Sequence, residues 1–279
     1  MTFGEWITGA RAELERAGNP DAQVDARLLV CGLLDLAPGR LAGICGKEMP
    51  AETRAELDGR LARRLSGEPL QYIEGAAYFM GLKFAVDSRV LIPRQDTETL
   101  CEHALTLLRG QTGAEVLDLC TGSGAIAVSV ARLQPGLRVT ATDMSPDALD
   151  VARENARLNG VSVRFLQGDL FAPVEGERFD AILCNPPYLT ANDMSHLQTE
   201  VAREPQMALF GGEDGLAFYR RLADGVYGHL KSGGYALFEV GDGQAAEVLR
   251  LMSENAMCAA RGTVKDLPGV ERVVWIRSR

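Results

Sequence analysis

Four consecutive residues, Asn185-Pro186-Pro187-Tyr188, combine types suited to handling a planar nitrogen. Pro187 pushes Pro186 into an extended conformation, and each ring fixes its own φ. The side-chain oxygen of Asn185 and the backbone carbonyl of Pro186 then become two rigid, converging acceptors. Such a pair suits an NH₂ group, because each acceptor takes one hydrogen and the nitrogen is left facing a fixed direction. Tyr188 offers a ring to stack against a flat amide or base. The plain alternative is a proline-rich turn without chemistry. Against it stands the position: the segment follows an apolar run, Asp180–Cys184, that reads as a strand. In doubly wound sheets, ligands bind at the carboxyl ends of parallel strands.

A second constellation lies upstream. The apolar run Glu115–Leu119 leads into Cys120-Thr121-Gly122-Ser123-Gly124 and then into a helical stretch, Ala125–Leu133. A glycine-rich strand-to-helix turn lets the backbone approach a ligand closely and aims helix N–H groups at it. Alone this is a weak signal, and the three-glycine dinucleotide pattern is incomplete. Asp143, which ends the next strand, lies 21 residues after Gly122. An acid at about that separation is the expected partner of ribose hydroxyls. The competing reading is that Asp143 or Ser145 caps the helix beginning at Pro146. Both can hold, since capping leaves a carboxylate oxygen over. The third strand ends in Gly168-Asp169-Leu170, where a polar and an apolar side chain could flank an adenine.

Metal chemistry is not expected. The six cysteines (31, 45, 101, 120, 184 and 258) and three histidines (103, 196 and 229) are scattered, with no two cysteines at metal-ligand spacing. They read as reduced, mostly buried thiols in a reducing compartment. Acidic residues outnumber basic ones by 38 to 29, and residues 1–80 already hold 12 acids against 9 bases, so neither half is a basic module. Duplex binding needs Lys and Arg to displace counterions from phosphates, so direct nucleic-acid binding is disfavoured. No apolar run approaches the ~20 residues of a membrane helix. Glu5 and the lack of an early apolar stretch argue against a signal or transit peptide. The expected location is cytoplasmic.

The elements that must position these residues fall into two regions, as 279 residues suggest at ~150 per domain. Residues 2–18 read as an amphipathic helix with a Thr2/Glu5 capping box and a face of Phe3, Trp6, Ile7, Ala10 and Leu14. A second helix starts at Asn19-Pro20, with Val24, Leu28, Cys31 and Leu34 inward, and a third follows Pro50 with Leu57, Leu61 and Leu65. Together they describe a small helical domain over 1–75, either a recognition module or a stabilising cap. From Tyr78 to Ile92 the period changes to two around a turn at Asp87-Ser88, which predicts a β-hairpin linker over 76–95. Over 96–279, strands at 115–119, 138–142, 161–166, 180–184, 235–239 and 272–276 alternate with helices at 125–133, 146–158, 215–230 and 244–254. Such alternation predicts a mostly parallel sheet with helices on both faces.

Beyond these motifs stand Gly67-Glu68-Pro69-Leu70-Gln71-Tyr72-Ile73, Leu91-Ile92-Pro93-Arg94, Thr97-Glu98-Thr99-Leu100, Glu204-Pro205, Ala208-Leu209-Phe210-Gly211-Gly212, Asp214-Gly215-Leu216 and Phe218-Tyr219-Arg220. With Asn185–Tyr188, they resemble the peptide chain release factor glutamine methyltransferase (PrmC/HemK) family over about residues 24–276. The resemblance implies a Rossmann-like class I methyltransferase sheet with a small N-terminal α-helical domain joined by a β-hairpin. It implies transfer of a methyl group from S-adenosyl-L-methionine, leaving S-adenosyl-L-homocysteine, to the glutamine side-chain amide of the Gly-Gly-Gln motif in class-I release factors. It places the cofactor at Cys120, Thr121, Gly122, Ser123, Gly124, Asp143, Asp169, Leu170 and Asn185. It places the substrate glutamine at Asn185, Pro186, Pro187 and Tyr188, with Asn185 and Pro186 catalytic. The helical domain would recognise the release factor. Gln95 and Asp96 stand where the pattern has Pro and Glu, and Cys120 where it has Gly; the latter is tolerable if that position needs no positive φ.

An amide nitrogen is a poor nucleophile and a sulfonium methyl an activated electrophile, so alignment and electrostatics are the main task. No general base is needed before attack. Three rivals define what must be excluded. An adenine amino-group methyltransferase would find the same NH₂ on a flipped base, but the chain is acidic. A nucleotide-dependent oxidoreductase has no use for Asn185–Tyr188. A binding module without activity would not need every cofactor position filled. A monomer is expected.

Overall fold

In the computed structural model, which describes all 279 residues, the chain divides into two units. The smaller comprises Met1–Gly75 together with Gln198–Arg203. Helix α1 (Phe3–Arg16) starts at the expected capping box, with Glu5 N donating to Thr2 Oγ1 at 3.2 Å and Thr2 N to Glu5 Oε2 at 2.7 Å. It buries Phe3, Trp6, Ala10 and Leu14 against α2 (Ala22–Leu33), α3 (Ala51–Leu65) and α4 (Leu70–Glu74). The inward face of α2 differs from the expected one. Val24 and Leu34 are 53% and 38% exposed, while Ala22, Ala26, Leu29 and Val30 are buried. The cause is a buried charge on that face. Asp25 accepts from Arg64 Nε at 2.7 Å and from Asn19 Nδ2 at 2.8 Å, so α2 turns its carboxylate inward. Arg64 likewise replaces Leu65 as the inward residue at the end of α3, and its other nitrogens reach Glu200 and the Glu68 carbonyl. Arg203 donates to the Ser66 carbonyl at 2.7 Å, so residues 198–203 are held in this unit by charge rather than by apolar burial.

The larger unit comprises Ala76–Leu197 and Glu204–Arg279. It opens with the hairpin β1 (Ala76–Phe79) and β2 (Leu82–Ala85). The reversal falls at Met80-Gly81, not at Asp87-Ser88: both residues have positive φ, as a tight two-residue hairpin turn requires. Asp87 serves a later turn, its carboxylate accepting from Arg89 N. Helix α5 (Gln95–Leu107) follows, and then a seven-stranded sheet threaded by helices: β3 (Glu115–Leu119), α6 (Ala125–Leu133), β4 (Arg138–Asp143), α7 (Pro146–Leu158), β5 (Arg164–Gln167), β6 (Phe179–Cys184), α8 (Ala191–Met194), α9 (Ala217–His229), β7 (Leu230–Glu239), α10 (Ala245–Ser253), β8 (Cys258–Lys265) and β9 (Glu271–Ser278).

The strand order is β5-β4-β3-β6-β7-β9-β8. The first five run parallel, β9 is antiparallel to β7, and β8 is antiparallel to β9. The central strands are buried almost throughout, with Leu117, Leu119, Ile182, Leu183, Leu237 and Phe238 fully enclosed. From β3 the chain moves to β4 on one side and returns to β6 on the other, so the order reverses at β3. At that switch point Leu119 is in register with Thr142 and with Cys184. The turns after β3, β4 and β6 therefore open into one crevice, the usual ligand position in such sheets. No helix is long and apolar enough to cross a membrane.

Candidate functional site

The crevice is a cleft lined by the turns that follow β3, β4, β5 and β6. Its wall begins with the turn after β3. Cys120, Gly122 and Gly124 all have positive φ, at 58°, 53° and 79°. The condition for tolerating Cys120 is thus not met: a side chain occupies a left-handed position there, at a cost of about 1–2 kcal/mol. Asp118, fully buried at the end of β3, holds the turn, its Oδ2 accepting from Thr121 Oγ1 at 2.6 Å and from Ala127 N at 3.1 Å. Burial, with a smaller push from the Asp143 charge, raises its pKa to about 7.

Asp143 uses both carboxylate oxygens, one more than the sequence reading allowed for. Oδ2 accepts from Gly122 N at 2.8 Å and Oδ1 from Ser145 N at 2.9 Å. The helix cap falls to Ser145, whose hydroxyl accepts from Ala148 N at 3.2 Å. Asp143 therefore ties the β3 turn to the β4 turn, and each oxygen retains a second lone pair for a ligand. Burial raises its pKa above the ordinary carboxylate value, against the backbone bonds that lower it. Leu170 is buried with φ 46°, and Gly168, Asp169 and Leu170 line the cleft together. The Asp169 carboxylate is directed to Arg221 on α9, at 2.6 Å.

Asn185 and Pro187 line the cleft directly, while Pro186 is buried and Tyr188 is not among the lining side chains. The Tyr188 ring packs on the hydrophobic core, and burial raises its hydroxyl pKa to about 12. The turn is clasped from behind. Leu189 N donates to the Leu209 carbonyl at 2.9 Å and Gly211 N to the Leu189 carbonyl at 2.8 Å. A Cβ on Gly211 would lie 2.7 Å from both the Pro187 carbonyl oxygen and Tyr188 Cα, so this approach requires glycine. Asn185 Nδ2 donates to Thr97 Oγ1 at 3.2 Å, which leaves Oδ1 for another donor.

Several residues with no role in the sequence reading complete the site. Arg94, Thr97, Met207 and Phe218 line the cleft. Glu204, almost wholly buried, accepts from Ile92 N at 2.9 Å and pairs with Arg94, fixing the edge that carries Thr97. Glu239 sits buried behind Asn185. Glu204 and Thr97 stand inside the conspicuous segments Glu204-Pro205 and Thr97–Leu100. Glu239 had one signal, an acid ending an apolar strand. Asp96, one of the departures from the family pattern, pairs with Arg272 on β9 at 3.2 Å. No cluster of three or more His, Cys, Asp or Glu side chains is placed to hold a metal ion.

Residues 96–212 match the family model described as Methyltransferase small domain, and residues 5–75 that described as PrmC N-terminal domain. Two solved structures share the fold at 20% identity. A methyltransferase from Pyrococcus furiosus gives a TM-score of 0.54 over 79% of this chain and 98% of its own. A 16S rRNA N2 G1207 methyltransferase from T. thermophilus gives 0.53 over 73% and 50%. Sheet, cleft and family models together define a methyltransferase. The chain is 40% identical to the release factor glutamine methyltransferase of Geobacter sulfurreducens, over 97% of this chain and 93% of that one. It is 38% identical to that of Deinococcus radiodurans, over 99% of both. The chain belongs to the release factor glutamine methyltransferase family.

Proposed function

We propose that this protein methylates the side-chain amide nitrogen of the glutamine in the Gly-Gly-Gln motif of class-I release factors, acting as a monomer in the cytoplasm. The observation that carries this reading is the set of Asn185: a turn at the carboxyl end of β6 faces the cleft, with the asparagine anchored through Nδ2 to Thr97 and its Oδ1 left over. Asn185 Oδ1 and the Pro186 carbonyl take the two amide hydrogens of the glutamine, favour pyramidal nitrogen and stabilise the positive charge that grows there. Loss of a proton to water follows attack, so no residue need act as a base beforehand.

S-adenosylmethionine supplies an electrophilic methyl group when bound. The cleft's donor set fits it: backbone of residues 120–124, the remaining lone pairs of Asp143 for ribose hydroxyls, and Leu170 beside the base. Asp169 contributes through its backbone position, since its carboxylate already has Arg221 as a partner.

Incubating the protein with S-adenosylmethionine and, side by side, an intact release factor, DNA and RNA tests the reading. Mass spectrometry is expected to find one added methyl on the Gly-Gly-Gln glutamine. Methylated adenine with an unmodified glutamine overturns it in favour of a base methyltransferase.

A further inference from the structure

Glu239 ends β7 as a fully buried carboxyl group, and its Oε2 has no hydrogen-bond partner. The group faces Thr97 and Asn185, whose hydrogen bonding toward it favours the charged form. Asn185 in turn donates to Thr97. Holding an ionisable group here against its desolvation is costly, and nothing ascribed so far to Asn185 or Pro186 uses it.

An amide side chain has two faces of opposite character, and only one serves the chemistry above. Thr97 alone cannot select between them, because a hydroxyl donates as readily as it accepts; with its one proton given to the Glu239 carboxylate, it can only accept from Asn185. A carboxylate only accepts, so it can hold the NH₂ face and must reject the oxygen. We infer that Glu239 is a positioning residue whose ionised carboxylate keeps the Asn185 amide with Nδ2 inward and Oδ1 toward the cleft. The inference rests on the role of Asn185 given above. A protonated Glu239 gains a donor and accepts the reversed amide, which turns an NH₂ group toward the NH₂ group of the substrate.

The groups around Glu239 place this change near neutrality. Burial raises its pKa to about 7, with Asp96 on α5 adding to the rise and Arg272 on β9 opposing it. Arg272 is itself shared with Asp96 and Asp266. Tyr188, Tyr219, Cys101 and Cys184 also face the carboxyl, and burial raises all four above their ordinary values, so they stay neutral.

The experiment follows the side-chain NH₂ resonances of Asn185 in full-length ¹⁵N-labelled protein from pH 5.5 to 8.5, assigned by their loss in Asn185→Asp. In parallel, kcat on a Gly-Gly-Gln peptide and cofactor affinity by calorimetry are measured. In the wild type, resonances and kcat are expected to titrate together with a midpoint near 7, kcat rising about tenfold from pH 6 to pH 8. Glu239→Gln, whose amide can present either face, is expected to lose the titration and at least tenfold in kcat at pH 8 while keeping cofactor affinity. Glu239→Asp, which restores an acceptor-only group, is expected to recover the pH dependence. Asn185 resonances that do not move with pH overturn the inference, as does a Glu239→Gln enzyme with wild-type kcat and pH profile, or one that loses cofactor affinity in step with kcat. If the wild type leaves the glutamine unmethylated, the substrate reading falls, and the resonance titration still decides the orientation of Asn185.

Discussion

Asn185 meets the protein through one side of its amide and the cleft through the other, so its replacement separates binding from chemistry. In Asn185→Ala one substrate hydrogen loses its acceptor, and removing such a transition-state contact costs about 3–4 kcal/mol, or roughly 10²–10³ in kcat. Cofactor affinity is expected to fall much less, because residues 120–124 and Asp143 are untouched. Asn185→Asp keeps an acceptor oxygen and should lie between the two. Single-turnover methylation of a Gly-Gly-Gln peptide with parallel calorimetry checks this, and an alanine variant with wild-type kcat removes Asn185 from the chemistry. Asp118 supports a prediction with a defined pH sign. Its folded pKa of about 7 lies above its ordinary 3.8, so it contributes stability that is full below pH ~4 and lost as pH rises through about 7. At about 1.4 kcal/mol per pH unit over roughly three units of displacement, the whole loss is on the order of 4 kcal/mol, and roughly 3 kcal/mol of it falls between pH 5 and pH 8. Denaturant unfolding at pH 5 and pH 8 should show Asp118→Asn losing much less stability than the wild type across that interval. Equal losses would show that Asp118 ionises freely in the native state.

Among the elements, those with local punctuation were readable and those positioned by distant partners were not. Helices α6 and α7 have the limits their residues suggest, because a glycine turn precedes one and Ser145-Pro146 opens the other. Helix α5 has no side-chain cap, and β8 is a half-exposed edge strand, so neither shows a clean period. The turn that brings Asn185 and Pro187 to the cleft was legible for the same reason: proline announces itself. Thr97, 88 residues away from Asn185, and Glu239 on another strand were not, since only the folded sheet brings them to it. Asn155 on α7 is a further case. It is fully buried, donates from Nδ2 to the carbonyls of Ala85 and Ser123 at 2.9 Å each, and accepts from Ala85 N at 2.6 Å. One side chain thereby ties the hairpin to the glycine turn. Asn155→Ala leaves several buried polar groups unpaired at ~1–3 kcal/mol each, so a total loss of about 3–5 kcal/mol is expected. Chemical denaturation checks the magnitude, and hydrogen exchange at Ala85 should rise with it. A variant within 0.5 kcal/mol of wild type, taken as about the noise of a surface change, means water replaces the amide.

On the scale of the whole molecule, the chemistry and its pocket are contained in one unit, since every residue lining the cleft belongs to 76–197 or 204–279. The helical unit has its own core and holds none of these groups. Removing residues 1–75 should therefore leave cofactor affinity largely intact. The effect on the substrate depends on how much binding energy lies away from the reacting amide. Remote contacts are what position a macromolecular substrate, and losing them raises KM for that substrate without touching one that never made them. For an intact release factor, KM is expected to rise at least tenfold in the truncated protein. For a short Gly-Gly-Gln peptide, kcat/KM should change little. One complication is predictable from the ion pairs. Deletion takes away Arg64 and the Ser66 carbonyl, the partners of Glu200 and Arg203, so residues 198–203 lose their anchors. Once solvated, exposed charges of this kind contribute only about 0–1 kcal/mol, so the segment loosens rather than unfolding the larger unit. The peptide arm reads that effect separately, because loosening near the reacting residues lowers activity on both substrates. A KM increase confined to the intact release factor supports recognition by the helical unit; equal losses on both substrates assign it a purely structural role; and equal activity with full-length protein on the intact factor removes it from recognition altogether.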